Sequence, residues 1–235
     1  MSRLYLAILI LFSVVPAFSQ VRLSDAEVIM QSRHIWRGQK LGTAPAIEPS
    51  FTLSSVRFSF NFWASVTTNN SYSEIDLIPA YQFNDFKLTL FDYYNPVPEG
   101  NNQYLNFKEG RNRHSLELAV DNYSVEKQRL KWMVGTFLLG DKNKSTGNPF
   151  YSTYIELKYS TAILGIETQP FVGITPFKGY YADQFAVINT GISFGKQLTI
   201  SQKLMIPFRI LVGSNPYKNN QFFTFSTGIV FVNLK

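Results

Sequence analysis

The feature that most constrains this chain is an alternation of apolar and polar side chains with a period of two. In 57–66, Phe58, Phe60 and Phe62 occupy every second position, and polar side chains such as Asn61 lie between them. The same alternation returns in 74–83, 113–121, 151–159 and 223–231. Because successive side chains of a β-strand point to opposite faces of its sheet, the pattern predicts strands with one apolar and one polar face.

The alternation predicts about twelve such strands, most with roughly the ten residues that a tilted strand needs to cross the hydrocarbon of a bilayer. They are 26–36, 45–54, 57–66, 73–83, 86–94, 112–123, 131–140, 150–159, 166–176, 184–195, 203–213 and 221–232. Short connections alternate with longer polar ones, of which 95–111 is the longest. This arrangement predicts an all-β fold, an up-and-down antiparallel transmembrane β-barrel with short periplasmic turns and longer extracellular loops.

Composition favours a membrane barrel over a soluble β-fold. Charged residues make up 16% of the chain and aromatic residues another 16%, with a mean hydropathy of -0.05. An average soluble domain carries roughly 25% charged residues. A mean hydropathy near zero excludes a helical membrane protein, but it is expected where apolar and polar strand faces cancel. A soluble β-sandwich also alternates and stays the alternative, although it would place more Lys and Glu on its exposed face.

The first residues predict a cleaved export signal. Arg3 precedes an apolar run over 4–15, and the small residues Ala17 and Ser19 follow it. This layout predicts cleavage between Ser19 and Gln20. An N-terminal membrane anchor is the alternative, but the run is shorter than the ~20 residues of a spanning helix.

The predicted organisation is a signal peptide over 1–19 and a single barrel domain over 20–235, located in the outer membrane of a Gram-negative bacterium. We expect three kinds of partner: outer-membrane lipid with lipopolysaccharide, the barrel-assembly machinery, and small solutes. The formal net charge is +6, but the basic residues are scattered and do not indicate nucleic-acid binding.

Aromatic residues near the predicted strand ends are expected to form the girdles that flank the apolar belt of such a barrel. They are Trp36, Tyr72, Tyr94, Trp132, Tyr151, Tyr159 and Phe231.

Polar residues on the opposite faces are expected to line the lumen. They are Glu27, Arg33, Arg37, Glu48, Arg57, Asn61, Glu74, Asp76, Lys87, Arg113, Glu117, Asp121, Glu156, Lys158, Glu167 and Arg209. Twelve strands enclose a lumen wider than the packed interior of an eight-stranded barrel and narrower than that of a porin with 16 strands. Two interpretations remain open at this point: the charges line a narrow aqueous path, or they pair across the lumen and fill it.

Several classes of function are excluded or disfavoured by the residues present. The chain has no cysteine and only two histidines, so no metal site, cofactor or catalytic residue is predicted. A barrel lipid hydrolase needs a Ser–His pair with a third group that orients the histidine. Ser32 and His34 share a predicted face but lack that third group there, and the adjacent His114 and Ser115 point to opposite faces.

Several segments of the N-terminal part resemble the TorF-like porin family of Gram-negative outer-membrane proteins. The segment 32–39, SRHIWRGQ, resembles the motif S-x-Y-x-F-R-G that opens the family's sequences, with His34 in place of the usual Tyr. Residues 45–46, 62–65, 74–81 and 92–96 match later segments of the family in order. The resemblance covers about residues 26–98 and implies an outer-membrane porin barrel; it implies no substrate and no binding residue.

The motif residues can also be interpreted physically. Gly38 permits a turn with positive φ, and Arg37 is expected at the extracellular mouth. Arg37 either attracts anions or pins a loop there, or it pairs with a carboxylate such as Glu48 or Glu74, as suits a guanidinium. Arg33, Arg37 and Arg57 are expected to lie together on one wall of the lumen.

These observations predict a narrow porin for small solutes and no enzyme. The alternative is a non-conducting barrel that acts in binding, adhesion or structure through outer loops such as 95–111. A lipid-modifying barrel enzyme is a third and less favoured possibility.

Overall fold

The computed structural model describes residues 21–97, 100, 102–106, 113–142 and 146–234. The predicted signal peptide, with its cleavage site between Ser19 and Gln20, lies outside the described residues, as does part of the loop 95–111. The described residues contain no helix that is long and apolar enough to cross a membrane.

The described residues form fifteen strands in antiparallel pairs. They are β1 (Arg22–Gln31), β2 (His34–Trp36), β3 (Gln39–Leu41), β4 (Ala46–Ser54), β5 (Phe58–Thr67), β6 (Ser73–Gln82), β7 (Lys87–Tyr94), β8 (His114–Asp121), β9 (Leu130–Leu139), β10 (Thr153–Tyr159), β11 (Thr161–Ile163), β12 (Ile166–Thr175), β13 (Ala186–Ser201), β14 (Leu204–Asn215) and β15 (Asn220–Val232).

All strands except β2 and β3 belong to one sheet of 13 strands in which neighbours in sequence are neighbours in space. The first and last strands pair, from Asp25 with Val232 to Gln31 with Ser226, and this pairing closes the sheet into a barrel. Both β10 and β11 pair with β12, so they form one strand interrupted at Ser160. The predicted twelve-stranded up-and-down barrel is therefore confirmed.

Burial alternates along the strands as the sequence predicts. On β6, Ile75 is 42% exposed on the outer face, whereas its neighbour Glu74 is only 7% exposed on the inner face. Phe51 and Phe62 stack on the outer face of β4 and β5 with their ring centroids 4.6 Å apart. A closed barrel with an apolar exterior satisfies every strand edge inside hydrocarbon, which is the architecture of an outer-membrane protein.

The first strand differs from its prediction. It spans Arg22–Gln31, whereas the sequence indicates 26–36. The alternation continues past Gln31 because 34–36 is itself a strand, but this strand pairs with β3 in a separate hairpin. The periodic pattern cannot show that the chain has left the barrel wall between these two strands.

Three of the predicted girdle residues lie on the outer face near the periplasmic ends of their strands: Trp132 on β9, Tyr159 on β10 and Phe231 on β15. Tyr151 is exposed just before β10 at the extracellular side. Tyr94 also faces outward at that side, but it is buried against Tyr104 of the loop 95–111, at 4.8 Å between ring centroids.

The girdle prediction is wrong for Trp36 and Tyr72, which lie inside the barrel. Trp36 belongs to the β2–β3 hairpin and packs against buried aromatic residues of the lumen. Tyr72 stacks on His34 at 5.7 Å and donates a hydrogen bond to the inward carboxylate of Glu74. Proximity to a strand end predicts a girdle position for both residues, but it does not show whether the adjoining loop folds inward.

Candidate functional site: the lumen and its inward hairpin

Most of the predicted lumen residues lie on the inner faces of barrel strands. They are Glu27 on β1, Glu48 on β4, Asn61 on β5, Glu74 and Asp76 on β6, Lys87 on β7, Glu117 and Asp121 on β8, Glu156 and Lys158 on β10, Glu167 on β12 and Arg209 on β14.

The predicted cluster of three arginines on one wall is wrong. Arg57 lies in the turn before β5, at the periplasmic rim. Arg33 follows the end of β1 and donates a hydrogen bond to the carbonyl of Gly42 at 2.6 Å. Arg37 is carried across the lumen by the hairpin. Arg113 also lies outside the strands, because β8 begins only at His114 and leaves Arg113 exposed in the loop before it.

The β2–β3 hairpin folds from the first extracellular loop into the lumen. Its turn consists of Arg37 and Gly38, with Trp36 paired to Gln39 across it. Both turn residues have positive φ, 48° for Arg37 and 75° for Gly38, as a two-residue type I′ turn requires. The predicted positive φ of Gly38 is confirmed.

Gly38 also allows the turn to reach the opposite wall. A Cβ atom at this position would lie 2.1 Å from the carbonyl oxygen of Ile188 on β13. Only a residue without a side chain fits there. A non-glycine residue in the left-handed region costs roughly 1–2 kcal/mol, so Arg37 keeps this conformation because its side-chain contacts compensate for the strain.

Those contacts join the hairpin to the far side of the barrel. The guanidinium of Arg37 donates to both carboxylate oxygens of Glu117 on β8, at 2.6 and 2.8 Å. It also donates to the hydroxyl of Tyr181, and it lies over the rings of Trp36 and Tyr154 at 4.7 and 4.6 Å from their centroids. Of the two interpretations that the sequence leaves open for Arg37, the structure shows the ion pair, but with Glu117 on the far wall instead of Glu48 or Glu74.

The charge of Arg37 is balanced by Glu117 alone among these partners. Burial raises the pKa of the Tyr181 phenol, so this side chain stays neutral. Glu117 is 0% exposed and accepts a further hydrogen bond from Tyr93 at 2.7 Å. A bidentate Arg–carboxylate pair of this kind fixes both the distance and the orientation of the two groups.

Aromatic packing holds the rest of the hairpin tip. The ring of Trp36 lies 5.9 Å from Tyr93, 6.3 Å from Phe137, 6.1 Å from Tyr180 and 5.8 Å from Tyr181. Tyr180 and Tyr181 come from the loop between β12 and β13, which therefore also contributes to the lumen. The hairpin and these rings fill the extracellular half of the barrel.

The base of the hairpin contacts the near wall through His34. Its Nδ1 atom lies 2.6 Å from a carboxylate oxygen of Glu48 on β4, and its ring lies 5.5 Å from Trp63 on β5. His34 is buried, and its Nε2 atom has no hydrogen-bond partner. The hairpin thus spans the lumen from β4 and β5 to β8 and β13.

A second polar cluster centres on Glu156 of β10. Its carboxylate accepts hydrogen bonds from Tyr123 and Tyr154, each at 2.6 Å, and pairs with Lys158 at 2.8 Å. Asn189 of β13 donates to the same carboxylate at 3.2 Å. The cluster supplies the remaining hydrogen bonds that an interior ion pair needs to be stable.

On the periplasmic side of the hairpin, charged side chains of the inner face are accessible to solvent. Glu167 on β12 and Arg209 on β14 both pair with Gly195 of β13, so they share one face, and both are exposed. Glu27 on β1 is only partly buried there. The lumen therefore holds the hairpin and aromatic rings on its extracellular side and exposed charged side chains on its periplasmic side.

Neither histidine is arranged as the base of a Ser–His pair. Ser32 accepts the backbone N–H of Phe225 at 3.0 Å, whereas His34 points into the lumen rather than onto the predicted outer face. His114 lies on the outer face, with Nδ1 2.7 Å from Asp92 and Nε2 next to the carbonyl of Tyr104. A carbonyl only accepts hydrogen bonds, so Nε2 carries a proton and cannot take one from a serine.

The predicted lumen set omits the inward aromatic residues, namely Trp63, Tyr93, Phe137, Tyr154 and Tyr181. The sequence does carry a signal for these residues. Several strands have a large aromatic residue on an otherwise polar inner face, which indicates that another segment of the chain packs against it.

No protein family and no curated protein matches the sequence. Solved structures with similar barrels include the KdgM porin, with 8% identity over 89% of this chain and 98% of that chain and a TM-score of 0.48. The COG4313 outer membrane channel from Pseudomonas putida F1 has 13% identity over 91% and 96% of the two chains, with a TM-score of 0.45. Outer membrane phospholipase A from Escherichia coli has 11% identity over 94% and 98%, with a TM-score of 0.38.

Likeness at this level concerns the fold and carries no argument about activity. The TorF-like resemblance stays a prediction, since no family matches.

Proposed function

We propose that the protein is a narrow outer-membrane channel for small solutes, in which the β2–β3 hairpin forms the constriction. The observation that carries this proposal is the division of the lumen. Exposed charged side chains on the periplasmic side lead up to the β2–β3 hairpin, which spans the barrel. The lumen of a twelve-stranded barrel has room for a ligand or an aqueous path wherever side chains of the wall do not fill it.

The hairpin is suited to act as a constriction because it is not part of the barrel wall. It pairs only within itself, β2 with β3, and the sheet of the barrel continues from β1 directly to β4. Its side-chain contacts with the wall can therefore break without loss of any barrel hydrogen bond. The alternative is a barrel that never conducts and acts through its outer loops. One observation favours it, namely that the hairpin and its aromatic partners occupy the extracellular half of the lumen.

Single-channel recording in a planar bilayer tests the proposal. The refolded protein is compared with a variant in which residues 33–44 are replaced by a short Gly-Ser linker, which leaves β1 and β4 intact. We expect modest conductance for the unchanged protein and a larger one for the variant, because the hairpin occupies the lumen. If the unchanged protein shows no conductance, the channel function is wrong; conductance only in the variant would identify a permanently plugged barrel.

The family resemblance and the expected partners are also part of this proposal. The TorF-like resemblance of 32–39 is in accord with a porin. Lipopolysaccharide and outer-membrane lipid would surround the apolar belt, and the barrel-assembly machinery would insert the chain. We assign no catalytic role to either histidine.

A further inference from the structure

Three buried carboxylates lie together where the hairpin leaves the near wall. Glu48 lies on β4, and Glu74 and Asp76 lie two positions apart on β6, so all three face the lumen. Glu48 contacts Gln31 and His34, and Glu74 accepts hydrogen bonds from Tyr72 at 2.7 Å and Asn95 at 3.1 Å.

The positive charge near these carboxylates does not balance them. Within the described part of the chain, no lysine or arginine forms an ion pair with Glu48, Glu74 or Asp76; His34 is the one basic group in contact. Arg37 is held against Glu117 on the far wall. A protonated His34 supplies one positive charge beside three carboxyl groups, so these groups lack a full complement of positive partners.

Asp76 has the least compensated position. It is 5% exposed, and its Oδ1 atom has no hydrogen-bond partner. Across the strands it pairs with Trp63 on one side and Tyr93 on the other, and these rings contact His34 and Trp36 of the hairpin. The Asp76 carboxylate therefore lies between two aromatic residues directly beside the hairpin.

We infer that Asp76, with Glu74 and Glu48, forms a subsite for a small monovalent cation at the constriction, so that the channel passes cations and small cationic solutes in preference to anions. This inference rests on the proposed channel function and specifies its substrate class. A buried carboxyl group without a partner is costly to ionise, and a cation beside it lowers that cost. An ionisable residue inside a membrane protein marks an ion or substrate path. Acidic side chains lining a narrow pore select cations, and aromatic faces attract them as well.

The arrangement is suited to transit rather than to tight metal binding. No group of three or more His, Asp and Glu side chains within the described residues is placed to hold a metal ion. The carboxyl groups can thus ionise beside a cation and attract it from one wall without forming a coordination shell, so the cation can enter and leave quickly.

The test is the reversal potential in a KCl gradient across a planar bilayer. We expect a several-fold preference for K⁺ over Cl⁻ in the unchanged protein, falling toward unity in Asp76→Asn. Asp92→Asn is the matched control, because it removes the same charge from the outer face of the neighbouring strand β7; it should keep the preference. Asparagine has nearly the same shape as aspartate, so Asp76→Asn should fold normally. Glu74→Gln is a second variant in which the preference for K⁺ over Cl⁻ should also fall.

Failure of the inference differs from failure of the channel function. A conducting protein without cation preference, or with a preference that Asp76→Asn leaves unchanged, overturns the inference but keeps the channel. If nothing conducts, the channel function is lost, and binding is measured directly through tryptophan emission on titration with tetramethylammonium. A response that disappears in Asp76→Asn and in Trp63→Phe then supports the subsite; no response, or one unaffected by Asp76→Asn, overturns it.

Discussion

Replacing Arg37 by methionine is expected to release the hairpin from the far wall. Methionine keeps an unbranched chain for the aromatic contacts but removes the charge. Glu117, 0% exposed, would keep only Tyr93 of its present hydrogen-bond donors and lose two charge-assisted bonds of 2.6 and 2.8 Å. Removing one partner of a buried ion pair costs about 3–5 kcal/mol. Since about 1.4 kcal/mol corresponds to a factor of ten, the ratio of docked to undocked hairpin should fall by roughly two to more than three powers of ten.

Trp36 reports this equilibrium because it lies at the tip of the hairpin. In a background of Trp63→Phe and Trp132→Phe it is the one remaining tryptophan. Arg37→Met should shift its emission to longer wavelength and increase quenching by acrylamide, and the open probability in bilayers should rise in parallel.

The double variant Arg37→Met with Glu117→Gln separates charge from shape. It leaves no unpaired charge in the lumen, so Trp36 should be better protected than in Arg37→Met alone. The reasoning is refuted if Trp36 is as protected in Arg37→Met as in the unchanged protein. It is also refuted if the loss of Trp36 protection in the double variant equals the sum of the losses in Arg37→Met and Glu117→Gln. The two groups would then act independently.

Two further predictions concern the barrel exterior and the histidines. Phe60→Arg places a charge in hydrocarbon and should cost about 2–4 kcal/mol in urea titrations of the protein in vesicles, whereas Asn61→Arg on the inner face should cost much less; equal losses would reject the assignment of the faces. The unchanged protein should not hydrolyse phospholipid, and the variants His34→Ala and His114→Ala should behave in the same way. If the unchanged protein hydrolyses phospholipid and His34→Ala abolishes this activity, the protein is an enzyme.

The strand number and the faces could be predicted from the sequence because they depend on a local period. Residues 58 and 60 share a face wherever that strand lies in a barrel, and the length of each apolar run matches the bilayer. Loops with Asn, Gly and Pro mark where strands end. These signals are repeated in every hairpin, so an error in one segment does not change the architecture.

The site could not be predicted in the same way, because it is made by contacts between distant segments. In 32–39 the alternation continues, so the hairpin looks like the end of a wall strand. Only the buried partners on the far wall show that the segment turns inward, and nothing in the local sequence identifies Glu117 as the partner of Arg37. The sequence does place Glu74 and Asp76 in the lumen, but beside arginines that the structure puts elsewhere, so the local lack of positive partners could not be predicted.

The hairpin also has a consequence for the order of assembly. It leaves the wall at the end of β1, the strand that must pair with β15 to close the barrel. Its partners Glu117 and Tyr181 lie 80 and 144 residues further along the chain than Arg37. Contacts between such distant residues form late in folding, because they require the intervening chain to be ordered first. Closure of the barrel joins residues that are still further apart, such as Asp25 and Val232. By the same reasoning the hairpin can dock on Glu117 and Tyr181 first, and the barrel then closes around a lumen that is already occupied.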